Sequence, residues 1–284
     1  MHGHIGSMLV ITRAGDPDAA ALGAEIAAYL ESRAVSATIC EHRTDVETAE
    51  AQNPERPFDL VLVLGGDGTY ISVARRLYAL QIPILGLNLG RVGFLADLPR
   101  ERWPELLDDL LARGVRARRL RMLAYRLLRG GGQAARGVAV NDVVIGRGRL
   151  ARLVRLELRL DGRSLGVLRA DGVIVSTPTG STAYSISAGG PIVHPQVNAL
   201  CVTPICPFLS GYHPLVLPDD RTVTVRVIEA RGEVTLTEDG QETLTLRPGD
   251  EVALTRSATD LLAADLDGQS FVERITSRGI IAER

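Results

Sequence analysis

Leu60-Val61-Leu62-Val63-Leu64-Gly65-Gly66-Asp67-Gly68-Thr69 is the stretch that decides the fold. Five consecutive apolar residues suit a strand covered on both faces, as in a parallel sheet. The run stops at a glycine-rich turn. Tyr70, Val73, Leu77 and Leu80 then recur at helical spacing. The same alternation of periods extends outward on both sides. Met8 to Thr12 reads as a buried strand, and Asp16-Pro17 as the N-cap and first residue of a helix carrying Leu22, Ile26, Tyr29 and Leu30. Val35 to Ile39 suggests a second strand, polar residues 43–57 a loop, and Ile82 to Leu87 another buried strand. Leu106, Leu107, Leu110 and Leu111 predict a helix that starts at Trp103-Pro104 and closes at Gly114. This β-α-β-α order predicts an α/β domain with an open parallel sheet.

The period changes after about residue 118. Leu156, Leu158 and Leu160 alternate with charged residues, Asp161-Gly162 is a hairpin signal, and Val223, Val225 and Val227 alternate again. Thr243 to Leu246, the turn at Arg247-Pro248-Gly249-Asp250 and Val252 to Leu254 continue the pattern. Phe271, Val272 and Ile275 suggest a last short helix. The expected plan is an α/β domain over 1–118, a mainly antiparallel all-β domain over 119–258, and a segment over 259–284 that returns to the first domain.

Composition excludes several functions. The net charge of -2 and pI near 6.2 provide no positive field for nucleic acid or an anionic membrane. Aromatics make up only 4%, so stacking platforms for single strands are scarce. The chain contains no lysine, and all 32 basic residues are arginine. That removes the Walker A loop and Schiff-base chemistry, so phosphates must be met by backbone N–H groups, arginine or a metal ion. Cys40, Cys201 and Cys206 form no CxxC pair or zinc pattern, and Cys201 and Cys206 are expected to be packing residues. His194 and His213 read as loop residues. No apolar run approaches the ~18–20 residues of a membrane span. With no signal-peptide pattern at the start, a soluble cytoplasmic protein is expected.

Three stretches hold candidate chemistry. Gly65-Gly66-Asp67-Gly68 sits where a buried strand opens into a helix, the place where open α/β sheets bind ligands and helix N–H groups favour an anion. There Asp67 suits a general base or a holder of a divalent metal, or it caps the helix. The hydroxyl-rich run Ser176-Thr177-Pro178-Thr179-Gly180-Ser181-Thr182-Ala183-Tyr184-Ser185 offers short polar groups suited to a nucleobase or ribose, or is a capped loop. Asn141-Asp142 can accept from both hydroxyls of a ribose, or is a turn.

Together these runs resemble the NAD kinase family. The resemblance adds Asn88-Leu89-Gly90-Arg91-Val92-Gly93-Phe94-Leu95, then Asp171-Gly172 onward through Tyr184, Ser187 and Gly189-Gly190-Pro191. Thr203-Pro204-Ile205-Cys206-Pro207 and Asp239-Gly240-Gln241 complete it, and it covers about residues 60 to 250. It implies phosphoryl transfer from ATP or inorganic polyphosphate to the 2′-hydroxyl of the adenosine ribose of NAD, giving NADP. Carried over by position, Asp67 is the catalytic carboxylate, and Gly65, Gly66, Gly68 and Thr69 lie by the phosphates. Phe94 packs near the adenine, while Asn141 and Asp142 hold the ribose. Thr182, Ala183, Tyr184 and Ser187 line the nucleoside pocket, and Asp171 approaches the nicotinamide. Arg169 meets a phosphate, and Cys206 and Gln241 join the NAD contacts. The resemblance also implies Mg²⁺ or Mn²⁺ and a homodimer or homotetramer. Phe208 and His213 depart from the histidine and arginine frequent there. Two rivals are a lipid kinase, which needs an apolar groove, and a non-catalytic NAD(H) sensor.

Overall fold

In a computed structural model the chain is described over residues 5–43, 51, 58–90, 93–96, 98–148, 153–208, 211–265, 271–277 and 279–281. It divides into two compact units, one made of Met1–Arg119 with Asp260–Arg284, the other of Leu120–Thr259.

The first unit is built on strands β1 (Ser7–Thr12), β2 (Ser36–Glu41), β3 (Leu60–Leu64), β4 (Ile84–Asn88), β5 (Leu98–Pro99) and β6 (Arg116–Leu120). Helices α1 (Pro17–Glu31), α2 (Asp67–Leu77) and α3 (Trp103–Arg113) connect them. The sheet runs β2-β1-β3-β4, with β1–β2, β1–β3 and β3–β4 all parallel. β3 is covered on both faces. Leu60, Leu62 and Leu64 join the core formed with α1 and α3, while Val61 and Val63 are buried on the opposite face. On that face α2 lays Tyr70 against Gly86 of β4. Each fully buried Leu contributes roughly 1.5–3 kcal/mol.

α1 starts as its sequence implies: Asp16 accepts the N–H groups of Asp18 and Ala19, and Pro17 needs no hydrogen-bond partner. α3 starts at buried Trp103, whose ring meets Tyr29 edge-on, and ends at Gly114. One expectation needs correction. Leu80 does not continue the α2 face but closes a 3₁₀ turn over Tyr78–Leu80, because Gln81 takes the left-handed conformation (φ 56°). The predicted loop over 43–57 lies mostly outside the described residues. The strand order has a switch point: β1 leads through α1 to one side and β3 leads through α2 to the other. The carboxyl ends of β1 and β3 therefore flank the sheet's switch point.

The second unit holds β7 (Leu123–Arg129), β8 (Gly132–Ala139), β9 (Asp142–Arg147), β10 (Val154–Leu160), β11 (Arg163–Ala170), β12 (Gly172–Ser176), β13 (Ala199–Ile205), β14 (Leu215–Pro218), β15 (Val223–Glu229), β16 (Val234–Glu238), β17 (Glu242–Leu246) and β18 (Glu251–Arg256), with the single-turn α4 (Tyr184–Ser187) after β12. Two antiparallel sheets, β11-β10-β15-β18-β7-β8 and β14-β13-β12-β9-β16-β17, share one core. Alternation explains it, since Val223, Val225 and Val227 are buried while Thr224 and Arg226 are only half-buried. The β10–β11 hairpin turns at Asp161 and Gly162, both at positive φ (48° and 79°), as the dipeptide predicted.

The chain then returns. β19 (Leu261–Asp265) pairs in parallel with β4 and lies between β4 and β6 in the first sheet, followed by α5 (Phe271–Ser277). Truncation after Thr259 is expected to open that sheet between β4 and β6. Limited proteolysis should then degrade the first unit within minutes while residues 120–259 resist. Equal resistance of both units would show that β19 is dispensable.

Candidate functional site

β3 ends at Leu64 and the chain turns through Gly65 and Gly66 into α2. Gly66 is the N-cap, in extended backbone, and no side chain caps the helix. Asp67 is the first helical residue and sends its carboxylate elsewhere. Its Oδ2 accepts the Phe94 N–H at 2.6 Å, and its Oδ1 accepts those of Leu95 and Ala96 at 3.0 and 2.8 Å. The loop after β4 is shaped to present these donors. Asn88, buried at the end of β4, accepts the Gly90 N–H and donates to the Ala96 carbonyl, which also receives the Gly93 N–H. A Cβ at Gly93 would overlap the Asp67 carboxylate, so only glycine fits. The Asn-x-Gly-x-x-Gly-Phe spacing thus has a physical reason, although Arg91 and Val92 lie outside the described residues.

A carboxylate has about four lone-pair positions. Three are taken at Asp67, and the remaining one is on Oδ2. Around it Gly65 is buried, Gly66 and Thr69 are half-buried and Gly68 is exposed. The Thr69 side chain closes over the Gly65 backbone. The α2 N–H groups favour an anion there.

In the second unit Asn141 and Asp142 lie at the start of β9. Asp239, at the β16–β17 turn, accepts the N–H groups of Val140, Asn141 and Asp142 at 2.9, 2.7 and 3.1 Å. Its own N–H returns to the Asp142 carbonyl. Asp142 is 4% exposed. Burial pushes its carboxyl up to about 7, and the negative charge of Asp239 adds to the rise. The hydroxyl-rich run closes against the same backbone: Thr177 donates its N–H to Asn141 O and its hydroxyl to Val140 O, while accepting the Gly180 N–H. Gly180 lies so close to the Asn141 carbonyl that a Cβ cannot be added.

Several hydroxyls of that run are spent inside the protein, as the capped-loop alternative allows. Ser181 donates to Pro178 O and receives the Val193 N–H, Thr182 bonds Thr179 O, and Ser185 pairs with Thr203. Ser176 and Thr179 differ, since Ser176 Oγ and Thr179 Oγ1 are buried without a hydrogen-bond partner among the described residues. Ala183 is half-buried, and Tyr184 and Ser187 are exposed.

Asp171 is held by Arg147 through two contacts, Nε–Oδ1 at 2.8 Å and Nη2–Oδ2 at 3.0 Å. Sequence reading missed Arg147, since no spacing rule singles out the last residue of β9. It also missed Arg155 and Arg231, which line an open cleft of about 480 Å³ with Leu153, Glu229 and Arg169. The Arg169 guanidinium lies 5.5 Å from the Phe208 ring centre, so the departure at Phe208 gives a cation–π contact. Cys201 is buried as expected, but Cys206 is not a packing residue. It is exposed, at φ 46°, because the chain leaves the sheet just after β13. Gln241 is exposed in the β16–β17 turn.

Residues 11–115 match the ATP-NAD kinase N-terminal domain and residues 140–266 the ATP-NAD kinase C-terminal domain. An NAD kinase of Nitratidesulfovibrio vulgaris is 45% identical over 284 residues, 100% of both chains. The chain belongs to the NAD kinase family. An NAD kinase of Oleidesulfovibrio alaskensis is 40% identical over 100% of this chain and 96% of its own. Among solved structures, yeast NADH kinase complexed with NADH superposes with a TM-score of 0.84 at 25% identity, covering 99% of this chain and 90% of that one. An NAD kinase from Archaeoglobus fulgidus in complex with ATP gives 0.74 at 25% identity, over 92% and 94%. Family membership sets aside the lipid kinase.

Gly93→Ala is expected to displace the Asp67 carboxylate and lower turnover about 10²-fold with little change in circular dichroism. Near-normal turnover would show that the loop gives way without cost. Asp142 bears on stability. Its carboxyl rises from an ordinary 3.8 to about 7, so between those values the folded chain keeps a proton that the unfolded chain releases. Stability from this group therefore falls as pH climbs through that window. Asp142→Asn, which never ionises, should raise Tm by several degrees at pH 8 and little at pH 4. An equal gain at both pH values would rule out the buried charge as the cause.

Proposed function

We infer that the chain transfers a phosphoryl group from ATP to the 2′-hydroxyl of the adenosine ribose of NAD, giving NADP, with Asp67 as the group that takes the hydroxyl proton. One observation carries the role of Asp67. Its carboxylate is fixed by three main-chain N–H groups at the carboxyl edge of the sheet, with one acceptor position left on Oδ2. A base so restrained can meet a hydroxyl in one direction only, and direction is most of what phosphoryl transfer asks of a protein.

Gly66, Gly68 and Thr69 face the donor phosphates with main-chain N–H groups, Gly65 lies beside them with its own N–H spent on Leu87 O, and Phe94 lies near the adenine. In the second unit Asn141 and Asp142 hold ribose. Thr182, Ala183, Tyr184 and Ser187 line the nucleoside pocket, with the unpartnered Thr179 hydroxyl as a further donor. Arg169 meets a phosphate, supported by its cleft, where three arginines outnumber the one carboxylate of Glu229. Asp171, aimed by Arg147, approaches the nicotinamide end, and Cys206 and Gln241 complete the contacts. Among the described residues no three His, Cys, Asp or Glu side chains converge on a metal. A resident metal cage does not fit this donor set, and Mg²⁺ or Mn²⁺ arrives on the donor's phosphates.

Among the described residues no helix is long and apolar enough to cross a membrane. We place the enzyme in the cytoplasm as a homodimer or homotetramer. Edge strands β11 and β14 expose Leu165, Val167 and Val216 to a second copy.

The test is NADP formation with ATP and with inorganic polyphosphate in parallel, and no product with either donor would overturn the reading. Asp67→Asn should keep NAD binding by calorimetry and lose roughly 10²–10⁴-fold in turnover, the contribution of a positioned base. Turnover near that of the parent would remove Asp67 from the mechanism.

A further inference from the structure

In the second unit the Asp239 carboxylate gathers three consecutive main-chain N–H groups, those of Val140, Asn141 and Asp142. The donors belong to the turn that carries the ribose-holding pair. Asp239 is itself anchored, because its N–H returns to the Asp142 carbonyl and the Gln241 N–H closes the turn on Glu238 O. Its φ of 50° lies in the left-handed region, which aspartate and asparagine tolerate better than most residues. A carboxylate is suited to this task, since two oxygens accept from three donors that no neutral side chain of this length can satisfy.

We propose that Asp239 is the positioning residue of the NAD site, holding the backbone of Val140, Asn141 and Asp142 so that the Asn141 and Asp142 side chains meet the ribose at a fixed height and angle. This rests on the reading that Asn141 and Asp142 contact NAD. Asp239 touches no substrate itself. It works through the pair in two ways: its oxygens set the pair's place, and its charge adds to the rise in the pH at which Asp142 ionises. Burial is the larger cause of the rise at Asp142, and the Asp239 charge the second.

Few other charged groups share those elements. Glu238, next along β16, stands opposite Val143, and its carboxylate is 3.4 Å from the Tyr125 hydroxyl of β7. Ser176 of β12, opposite Asp142, is uncharged, and Arg147 at the far end of β9 is committed to Asp171. Asp239 is therefore the charge whose removal Asp142 should feel.

Four variants separate the outcomes, each measured for NAD KM, donor KM, kcat and the pH dependence of kcat/KM for NAD. Asn141→Ala and Asp142→Asn test the underlying reading, and if neither raises the NAD KM that reading fails by itself. Asp239→Asn keeps the left-handed turn but loses acceptors and charge. It should raise the NAD KM roughly 10- to 100-fold, as expected for lost charge-assisted hydrogen bonds, with donor KM within about twofold. It should also move the acidic limb of the profile, near pH 7 in the parent, to lower pH. Asp239→Glu keeps the charge with misplaced oxygens, so it should raise the NAD KM and leave the limb in place. It carries the test alone if the asparagine variant does not fold. If Asn141→Ala and Asp142→Asn raise the NAD KM but the Asp239 variants do not, the positioning role is overturned. A limb that fails to move in a folded Asp239→Asn overturns the electrostatic part.

Discussion

The three N–H bonds converging on Asp67 join two loops that the sheet alone would leave independent. The glycine-rich turn follows β3, and the donors follow β4. Parallel strands bring the two loops to the same edge, but they do not dictate that either should hold a particular shape. The carboxylate supplies that constraint. It explains why the turn has no side-chain helix cap, why a glycine must stand at Gly93, and why Asn88 spends both ends of its amide on Gly90 and Ala96. A charged acceptor with three main-chain donors is also a strong arrangement in a partly buried place.

The second unit uses the same device. Asp239 gathers three successive N–H groups, and the turn it fixes carries a carboxylate that the fold does not welcome. Burying Asp142 beside another acid opposes folding once the pH is high enough for its carboxyl to ionise. The absence of lysine belongs with this pattern. Without a flexible ammonium to neutralise anions, the protein relies on oriented amides and on arginine, both stiffer and more directional.

The architecture was largely legible from the sequence. Hydrophobic period, together with Asp16-Pro17, Gly114 and Asp161-Gly162, located most strands and helices because each signal is local. The glycine turn was legible for the same reason. Part of the site was not. The hydroxyls of residues 176–185 read either as groups for a ligand or as a capped loop. Thr177, Ser181, Thr182 and Ser185 bond within the protein, and no local pattern tells a ligand-facing hydroxyl from one that shapes its own loop. Arg147 with Asp171 and Asp239 with Asn141 are pairings across 24 and 98 residues, set by strand register, which spacing cannot show. Cys206 was misjudged because residue type suggests burial, whereas the end of a strand decides exposure.

The insertion of β19 between β4 and β6 has a consequence for how the protein is made. The ribosome delivers β1 to β6 first, yet the strand that belongs between two of them emerges only after the 140 residues from Leu120 to Thr259. At about 5–20 residues per second, the gap persists for roughly 7–30 s. During that interval the flanks of β4 and β6 are open to pairing with any passing strand, and nascent chains on one messenger are the nearest source. Slow translation of the β-rich stretch, or crowding of polysomes, would therefore lengthen this protein's exposure to mispairing.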